Sequence, residues 1–173
     1  TTIIAPEIEP RDGFVAGIEF SRNYSPTWQS YYPRGIQNVQ LLGANWVVLT
    51  PTWRYTSQTP AVIESVPGLD PLWQDLRQSI QAAQQIGLDV GLFPRLAETT
   101  PGSAWQEPVF DTGWWRDCFD RYRTFILNFA DLAEQTGSPM LVLGGPEVLP
   151  ALPGGLALNG QPSGVPSEAL ESW

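Results

Sequence analysis

One glutamate follows the last of four short apolar runs, and it is the side chain best placed to do chemistry. Residues 140–143 read Met-Leu-Val-Leu, the run stops at Gly144-Gly145-Pro146, and Glu147 comes next. Strands of parallel sheets covered by helices are continuous apolar runs, and catalytic groups lie just past their carboxyl ends. A carboxylate at that point can act as a general acid or base. The other interpretation of Glu147 is a solvated loop residue.

The same arrangement of an apolar run followed by polar side chains occurs three more times upstream. These runs cover residues 13–20, 46–50 and 89–93. If the four strands are parallel neighbours, the side chains at their carboxyl ends meet on one face. The residues expected to converge there are Glu19, Trp53, Arg54, Arg95, Glu98 and Glu147.

Helical periodicity separates the four runs. Apolar residues three and four positions apart predict helices over about 33–42, 70–86 and 115–136. Asp70 is the expected N-cap of the second helix, because a proline follows it at the first helical position. The segments 52–69, 95–111 and 146–165 are expected to be loops, and no turn pattern in them predicts a hairpin.

This order predicts an α/β fold of the (β/α)8 TIM-barrel type, of which the chain holds about the first four βα units. The connections from helix to strand are short, whereas those from strand to helix are long and aromatic, which is typical of a barrel. The alternative is an open doubly wound sheet, and the absence of a glycine-rich phosphate loop after residue 20 disfavours it. We expect residues 1–12 to be a linker and residues 13–173 to be the amino-terminal half of the barrel, ending within its fourth helix.

The composition excludes several classes of protein. Nine basic and 18 acidic residues give a net charge of −9, which argues against a nucleic-acid or anionic-membrane surface. Histidine is absent and Cys118 is the single cysteine, so neither a metal site nor a disulfide within the chain is expected. No cofactor is expected. No apolar run reaches the length of about 18 residues that a membrane-spanning helix needs.

Three segments together resemble a known enzyme family. Residues 43–53 read Gly-Ala-Asn-Trp-Val-Val-Leu-Thr-Pro-Thr-Trp, and residues 76–96 hold a helix ending Ala-Gln-Gln-Ile-Gly-Leu-Asp-Val, then an apolar strand and Pro94. The third helix contains Trp114-Trp115 and, further on, Tyr-Arg-Thr-Phe-Ile at 122–126. In order and spacing these segments resemble clan A glycoside hydrolases, in particular the family 113-type β-mannanases.

The resemblance implies retaining hydrolysis of a β-linked, mannan-type polysaccharide. In such enzymes one glutamate beyond the fourth strand is the acid and then the base, and a second beyond the seventh strand is the nucleophile, about 5–5.5 Å away. Glu147 matches the first position. The residue before it in the family is Asn or Thr and here is Pro146, and Arg95 stands where the family often has a histidine. No seventh strand lies within these residues, so the remaining half of the barrel is an expected partner, in the same or another chain.

The resemblance also gives roles to the other strand-end residues, each with an alternative. Trp53 and Tyr55 are candidates for stacking on a sugar ring, or else they pack within the loop. Arg95 either bonds sugar hydroxyls or pairs with Glu147 or Glu98, and such a pair would favour an ionised Glu147 where a general acid must be protonated. Glu19 is a candidate substrate contact, or it pairs with Arg22 or Arg54. Trp114 and Trp115 are expected to pack between helix and barrel.

Three hypotheses for function remain. The first is the amino-terminal half of an extracellular or cell-surface glycosidase with Glu147 as acid/base. The second is a barrel relative without catalysis that serves as a carbohydrate-binding or structural domain, which Pro146, Arg95 and the lack of histidine favour. The third is the open sheet as a binder of nucleotides or other small molecules.

Overall fold

The computed structural model describes residues 14–21, 23–99 and 110–168. The predicted linker over residues 1–12 and the predicted start of a fourth helix after residue 168 lie outside these ranges. In chain order, the helices and strands of the described residues are β1 (Gly17–Glu19), α1 (Tyr32–Leu41), β2 (Trp46–Leu49), β3 (Thr52–Ser57), β4 (Val62–Glu64), α2 (Trp73–Gln85), β5 (Asp89–Leu92), β6 (Arg95–Glu98), α3 (Thr112–Thr136) and β7 (Met140–Leu141). Two 3-10 helices cover Pro26–Tyr31 and Pro146–Ala151.

The main sheet is an arc of four parallel strands in sequence order, β1-β2-β5-β7. A doubly wound sheet reverses its strand order at a switch point, whereas a barrel adds each strand beside the previous one. The order therefore confirms the barrel type and removes the open-sheet alternative. Because every strand runs in the same direction, all four carboxyl ends lie on one edge of the arc.

The two faces of this sheet differ in burial. Val47 and Leu49 of β2 and Val90 and Leu92 of β5 are at most 2% exposed and belong to the core that the helices cover. The side chains that alternate with them in β2 point to the other face, which becomes the interior of a closed barrel. These residues, Trp46 and Val48, are only partly buried.

The third helix is the best-determined element of the sequence. Asp111 caps α3 by accepting a hydrogen bond from the backbone N–H of Trp114 (2.8 Å), and Gly137 ends it in the left-handed conformation with φ 66°. Phe125 and Phe129 of its apolar stripe are at most 2% exposed, as periodicity predicted. None of the described helices is long and apolar enough to cross a membrane.

The predicted start of the second helix was wrong. α2 begins at Trp73 with Leu72 as its N-cap, and Asp70 does not cap it. The Asp70 carboxylate is instead bonded to Thr52 Oγ1, Arg54 Nε and the backbone N–H of Val66, so it ties the preceding loop to β3.

The prediction of a plain loop over residues 52–69 was also wrong. β3 and β4 form an antiparallel hairpin, and β6 pairs with β3 in parallel, so a second sheet of order β4-β3-β6 stands beyond the main one. The β3–β6 pairing keeps the register of the β2–β5 pairing across both prolines at positions 51 and 94. Hydrogen bonds from Phe93 N to Leu49 O and from Arg95 N to Pro51 O, both 2.8 Å, link the two sheets.

The segment after β7 is ordered by its own contacts rather than being a featureless loop. Its 3-10 helix is followed by a tight bend that brings Leu156 opposite Pro162. Ser163, which is 1% exposed, anchors the bend: its hydroxyl donates to Pro150 O (2.6 Å) and its carbonyl accepts from Trp115 Nε1 (3.1 Å). The segment thus sits in a fixed position over the carboxyl end of β7.

Candidate functional site

A cavity of about 840 Å³ opens at the carboxyl ends of the strands. The second sheet forms one wall, the segment after β7 forms the opposite wall, and the loop after β1 closes one side. The lining residues are Asn23, Tyr24, Arg54, Tyr55, Arg95, Leu96, Ala97, Glu98, Pro146, Glu147, Leu149, Pro150, Leu156 and Leu158.

Arg95 is the centre of the charged part of this cavity. Its Nη2 lies 3.2 Å from Glu147 Oε2, and its Nη1 lies 4.0 Å from Glu19 Oε1. The guanidinium also stacks over Phe93, with 4.7 Å from Cζ to the ring centroid. The last residue of β1, the first residue of β6 and a residue after β7 therefore lie together, so the predicted convergence of Glu19, Arg95 and Glu147 is observed, although Glu19 does not itself line the cavity.

Glu147 is held in the first turn of the 3-10 helix that starts at Pro146. Its side chain is 16% exposed, against 52% for Glu19, so it is the more enclosed of the two carboxylates. Of the two partners that the sequence allowed for Arg95, the structure selects Glu147 rather than Glu98. Glu147 also lines the cavity.

Arg54 lines the cavity, but its guanidinium is hydrogen-bonded to other groups of the protein. Its Nε donates to Asp70 Oδ1 (3.0 Å), its Nη2 to Leu69 O (2.9 Å) and its Nη1 to Glu98 O (3.3 Å). The alternative that Arg54 pairs with Glu19 is wrong, since the guanidinium lies against fully buried Asp70. Arg22, the other partner considered for Glu19, lies outside the described residues.

The two aromatic candidates on β3 are two residues apart, so both lie on the face of the strand that packs against α3. Trp53 packs against Phe125 and Phe129 of α3, with ring centroids 5.7 and 6.2 Å apart, and it does not line the cavity. The structure therefore does not bring Trp53 to the charged group, because alternation along β3 turns it toward the helix. Tyr55 lines the cavity wall but is 2% exposed, and burial raises the pKa of its hydroxyl, which has no hydrogen-bond partner among the described residues.

Glu98 and the paired tryptophans complete the predicted set. The Glu98 side chain is exposed at the rim of the cavity, and its backbone carbonyl receives Arg54. Trp115 is 1% exposed, and Trp114 packs against the core and bonds Gln58 O through Nε1 (2.6 Å). Both tryptophans are thus packing residues, as the sequence indicated.

Sequence reasoning missed two sets of residues. Asp70 was assigned to a helix cap, although an aspartate before a proline equally suits a loop whose side chain bonds backward. The apolar wall formed by Leu149, Leu156 and Leu158 falls in a segment with no periodicity, so only the fold shows that it faces the cavity. Within the described ranges, no three His, Cys, Asp or Glu side chains are grouped as a metal site would require.

Two solved structures are similar to this chain in fold. A complex of a GH113 β-1,4-mannanase matches with a TM-score of 0.66 and 17% identity, over 78% of this chain and 46% of that one. The GH113 β-mannanase AaManA from Alicyclobacillus acidocaldarius, solved with ManMIm, matches with a TM-score of 0.66 and 20% identity, over 76% and 44%. At these identities the likeness shows the fold alone, and the chain spans less than half the length of either structure.

The parallel arc and the carboxylates at its carboxyl edge define a domain of the barrel-type glycoside hydrolases. The family model described as Glycoside Hydrolase Family 113 matches residues 23–150. The chain therefore belongs to Glycoside Hydrolase Family 113. Among curated proteins, none is similar enough in sequence to match it.

Proposed function

We propose that this domain hydrolyses a β-linked, mannan-type polysaccharide by a retaining mechanism in which Glu147 is first the general acid and then the base. The observation that carries the proposal is the place of Glu147: enclosed, at the end of the fourth parallel strand, and facing a cavity large enough for a sugar ring. The β-mannanases to which the fold is similar support the substrate class.

The nucleophile in this proposal is a second carboxylate beyond a seventh strand, supplied by a second half barrel in the same or another chain. Two features of the described residues support a second half. The inner face of the sheet leaves Trp46 and Val48 partly exposed, and each outer strand of the arc has a neighbour on one side only among the described strands. A closed barrel would cover the inner face of the sheet and give each outer strand its second neighbour.

Arg95 needs a defined part in this chemistry, because its guanidinium is paired with the carboxylate of Glu147 at 3.2 Å. An incoming sugar would compete for the guanidinium through its hydroxyls, and Glu19 offers a second carboxylate 4.0 Å from Nη1. Movement of Arg95 toward Glu19 would free Glu147 to take up a proton before it protonates the leaving group. We place the protein at the cell surface or outside the cell, where such polysaccharides occur, and fractionation of cells would test this.

The experiment is turnover of manno-oligosaccharides by the complete protein, with Glu147→Gln beside the wild type. The amide cannot donate a proton as a carboxylic acid does, so we expect kcat to fall by about 10²–10⁴-fold. Glu98→Gln, at the rim of the same cavity, is the matched control and should stay within a few-fold of the wild type. Full activity in Glu147→Gln would remove Glu147 from the mechanism.

The Arg95–Glu147 ion pair together with Pro146 also supports a second candidate, a carbohydrate-binding domain without catalysis. Calorimetry with manno-oligosaccharides separates the two. Binding without turnover in the complete protein would favour the second candidate, and turnover that depends on Glu147 favours the first.

A further inference from the structure

The turn between β7 and the 3-10 helix passes very close to the Glu147 carboxylate. An ideal Cβ placed on Gly145 would lie 2.6 Å from Glu147 Oε2 and 2.9 Å from Cζ of Phe93. Both distances are shorter than real Cβ contacts. The backbone of Gly145, at φ −123° and ψ −161°, is extended and open to any residue. Glycine at this position therefore leaves room for the carboxylate, whereas the backbone conformation of the turn does not require a glycine.

Tyr122 of α3 supports the same turn from behind. Its hydroxyl donates a hydrogen bond of 2.6 Å to the carbonyl of Leu143, the last apolar residue before the two glycines, and its oxygen is 3.4 Å from an ideal Cβ at Gly144. Burial raises the pKa of Tyr122, and the negative charge of Glu147 raises it further. The hydroxyl thus stays protonated and donating throughout the neutral range.

The turn is therefore fixed at Leu143 by a hydrogen bond, and at Gly145 it packs closely against the Glu147 carboxylate. Tyr122 fixes the backbone at Leu143, while the absent side chain at Gly145 lets Glu147 fold back over the chain toward Arg95. Arg95 lies on β6, which is part of a regular sheet, so it gives the carboxylate a rigid partner at 3.2 Å. A shift of the turn by a fraction of an ångström would change this distance directly.

We propose that Gly145 and Tyr122 are positioning residues for Glu147. Gly145 leaves the space that the Glu147 carboxylate occupies, and Tyr122 fixes the backbone at the end of the strand that precedes Glu147. The proposal rests on the acid/base role proposed above for Glu147. Neither residue touches the reacting atoms. They act by keeping Glu147 beside Arg95 and aimed into the cavity.

The test compares Gly145→Ala and Tyr122→Phe with wild type in the complete protein. A displacement of about 1 Å in a catalytic group costs on the order of 10²-fold, so Gly145→Ala should lose about that factor in kcat with little change in KM. Tyr122→Phe should lose about tenfold, because one hydrogen bond is removed without a steric clash.

The matched control is Gly113→Ala in the first turn of α3. Its new Cβ meets only Asp111 Oδ1, at 3.3 Å, and lies on an element away from the turn, so kcat should not change. A crystal structure of Gly145→Ala gives a readout that does not need activity. We expect Arg95 Nη2 and Glu147 Oε2 to be more than about 4 Å apart there.

The outcomes separate this inference from the proposed function. A Gly145→Ala structure that keeps the Arg95–Glu147 distance of the wild type, or a variant with unchanged kcat in an active enzyme, overturns the positioning role. A displaced carboxylate in a protein whose wild type hydrolyses no glycoside leaves the positioning role intact and removes the catalytic one. A fall in KM and kcat together with a lower melting temperature in both variants would show a structural role only, and it also overturns the inference.

Discussion

At the scale of single residues, the carboxylate of Asp70 connects several parts of the structure. It is completely buried and holds Thr52, Arg54 and the backbone of Val66 at once. Through Arg54 the same group reaches the carbonyl of Glu98, so the second sheet and the loop before α2 share one charged centre. Removing one partner of such a pair leaves the other charge without compensation.

Replacement of Asp70 by asparagine should therefore destabilise the protein by about 3 kcal/mol. Adding Arg54→Met should cost less than the two single changes summed, because the stranded charge is then gone. Urea unfolding of the complete protein measures both. Asp120→Asn is the control: its partner Arg123 and its own side chain are exposed, so we expect a change below about 0.5 kcal/mol. Equal effects at positions 70 and 120 would contradict the argument.

Cys118 gives a prediction about pH. Burial raises the pKa of its thiol from the ordinary 9.0 to about 12, so the folded protein keeps it neutral where the unfolded chain ionises it. The unfolded state then binds fewer protons above pH 9, and the free energy of unfolding falls as pH rises from 9 toward 12. The thiol should not react with a disulfide reagent at pH 8 until denaturant is added. In a Cys118→Ala variant this part of the alkaline slope should be missing. Rapid labelling of the native protein at pH 8 would contradict the burial.

The charged residues of the site were easier to predict than the aromatic ones, for a physical reason. Glu19, Arg95 and Glu147 lie at the ends of apolar runs or within four residues after them, so the parallel order alone brings them together. Trp53 and Arg54 lie on β3, which follows a proline in the sequence and for which the sequence predicts a loop. Without the strand, its alternation and therefore the direction of each side chain could not be assigned.

At the scale of elements, Ser163 determines the position of the segment over the site. It joins the backbone carbonyl of Pro150 in the 3-10 helix, the indole of Trp115 and the bend at residues 155–162. Its N–H donates to Gly155 O (3.0 Å), and its carbonyl also accepts from the N–H of Phe110 (3.3 Å). The wall that carries Glu147 thus depends on one small side chain far from the cavity centre.

Ser163→Ala should free the Pro150 carbonyl and loosen this segment. We expect a loss of about 1–2 kcal/mol in local stability, because a buried acceptor loses its donor. Hydrogen exchange of the amides between residues 148 and 165 measures it. Ser167→Ala, whose hydroxyl contacts only the exposed neighbour Glu168, is the control and should leave exchange unchanged. The same rates in both variants would show that Ser163 is not the anchor.

Helices and main-sheet strands were predictable because each has a period and a stop signal. α3 has five turns of one apolar stripe, an aspartate cap and a terminal glycine, and its predicted and observed bounds agree closely. The hairpin of β3 and β4 has no two-residue turn signature, and its strands mix Arg, Ser and Glu with β-branched and aromatic residues. It is stabilised by pairing with β6, a partner more than 30 residues away, which no local pattern reports.

At the scale of the whole molecule, the arc leaves backbone groups of β1 and β7 without strand neighbours on their outer sides among the described residues. Phe14 and Val15, which lead into β1, are 62% and 61% exposed. Unpaired strand edges with apolar neighbours are sites of association with another chain. The inner face adds further apolar surface to this edge.

The isolated 173-residue chain should therefore self-associate with increasing concentration, which light scattering after size-exclusion chromatography measures. Val15→Lys places a charge at the edge and should lower the association, whereas Arg77→Lys on α2 should not change it. A monodisperse monomer that melts cooperatively would contradict the half-barrel interpretation.

The uninterrupted register through Pro51 and Pro94 restricts how this site can evolve. The chain passes from β2 to β3 and from β5 to β6 through connections of equal length. Paired residues of β3 and β6 in the second sheet therefore face the same way as paired residues of β2 and β5 in the main sheet. One residue inserted beside Pro94 would turn Arg95 toward the helices and an apolar neighbour toward the cavity, and one inserted beside Pro51 would reverse the side chains of β3 in the same way. Related sequences should therefore vary in length at these two points only by matched changes in both strands, and the carboxylate of Glu147 would then keep its cationic neighbour.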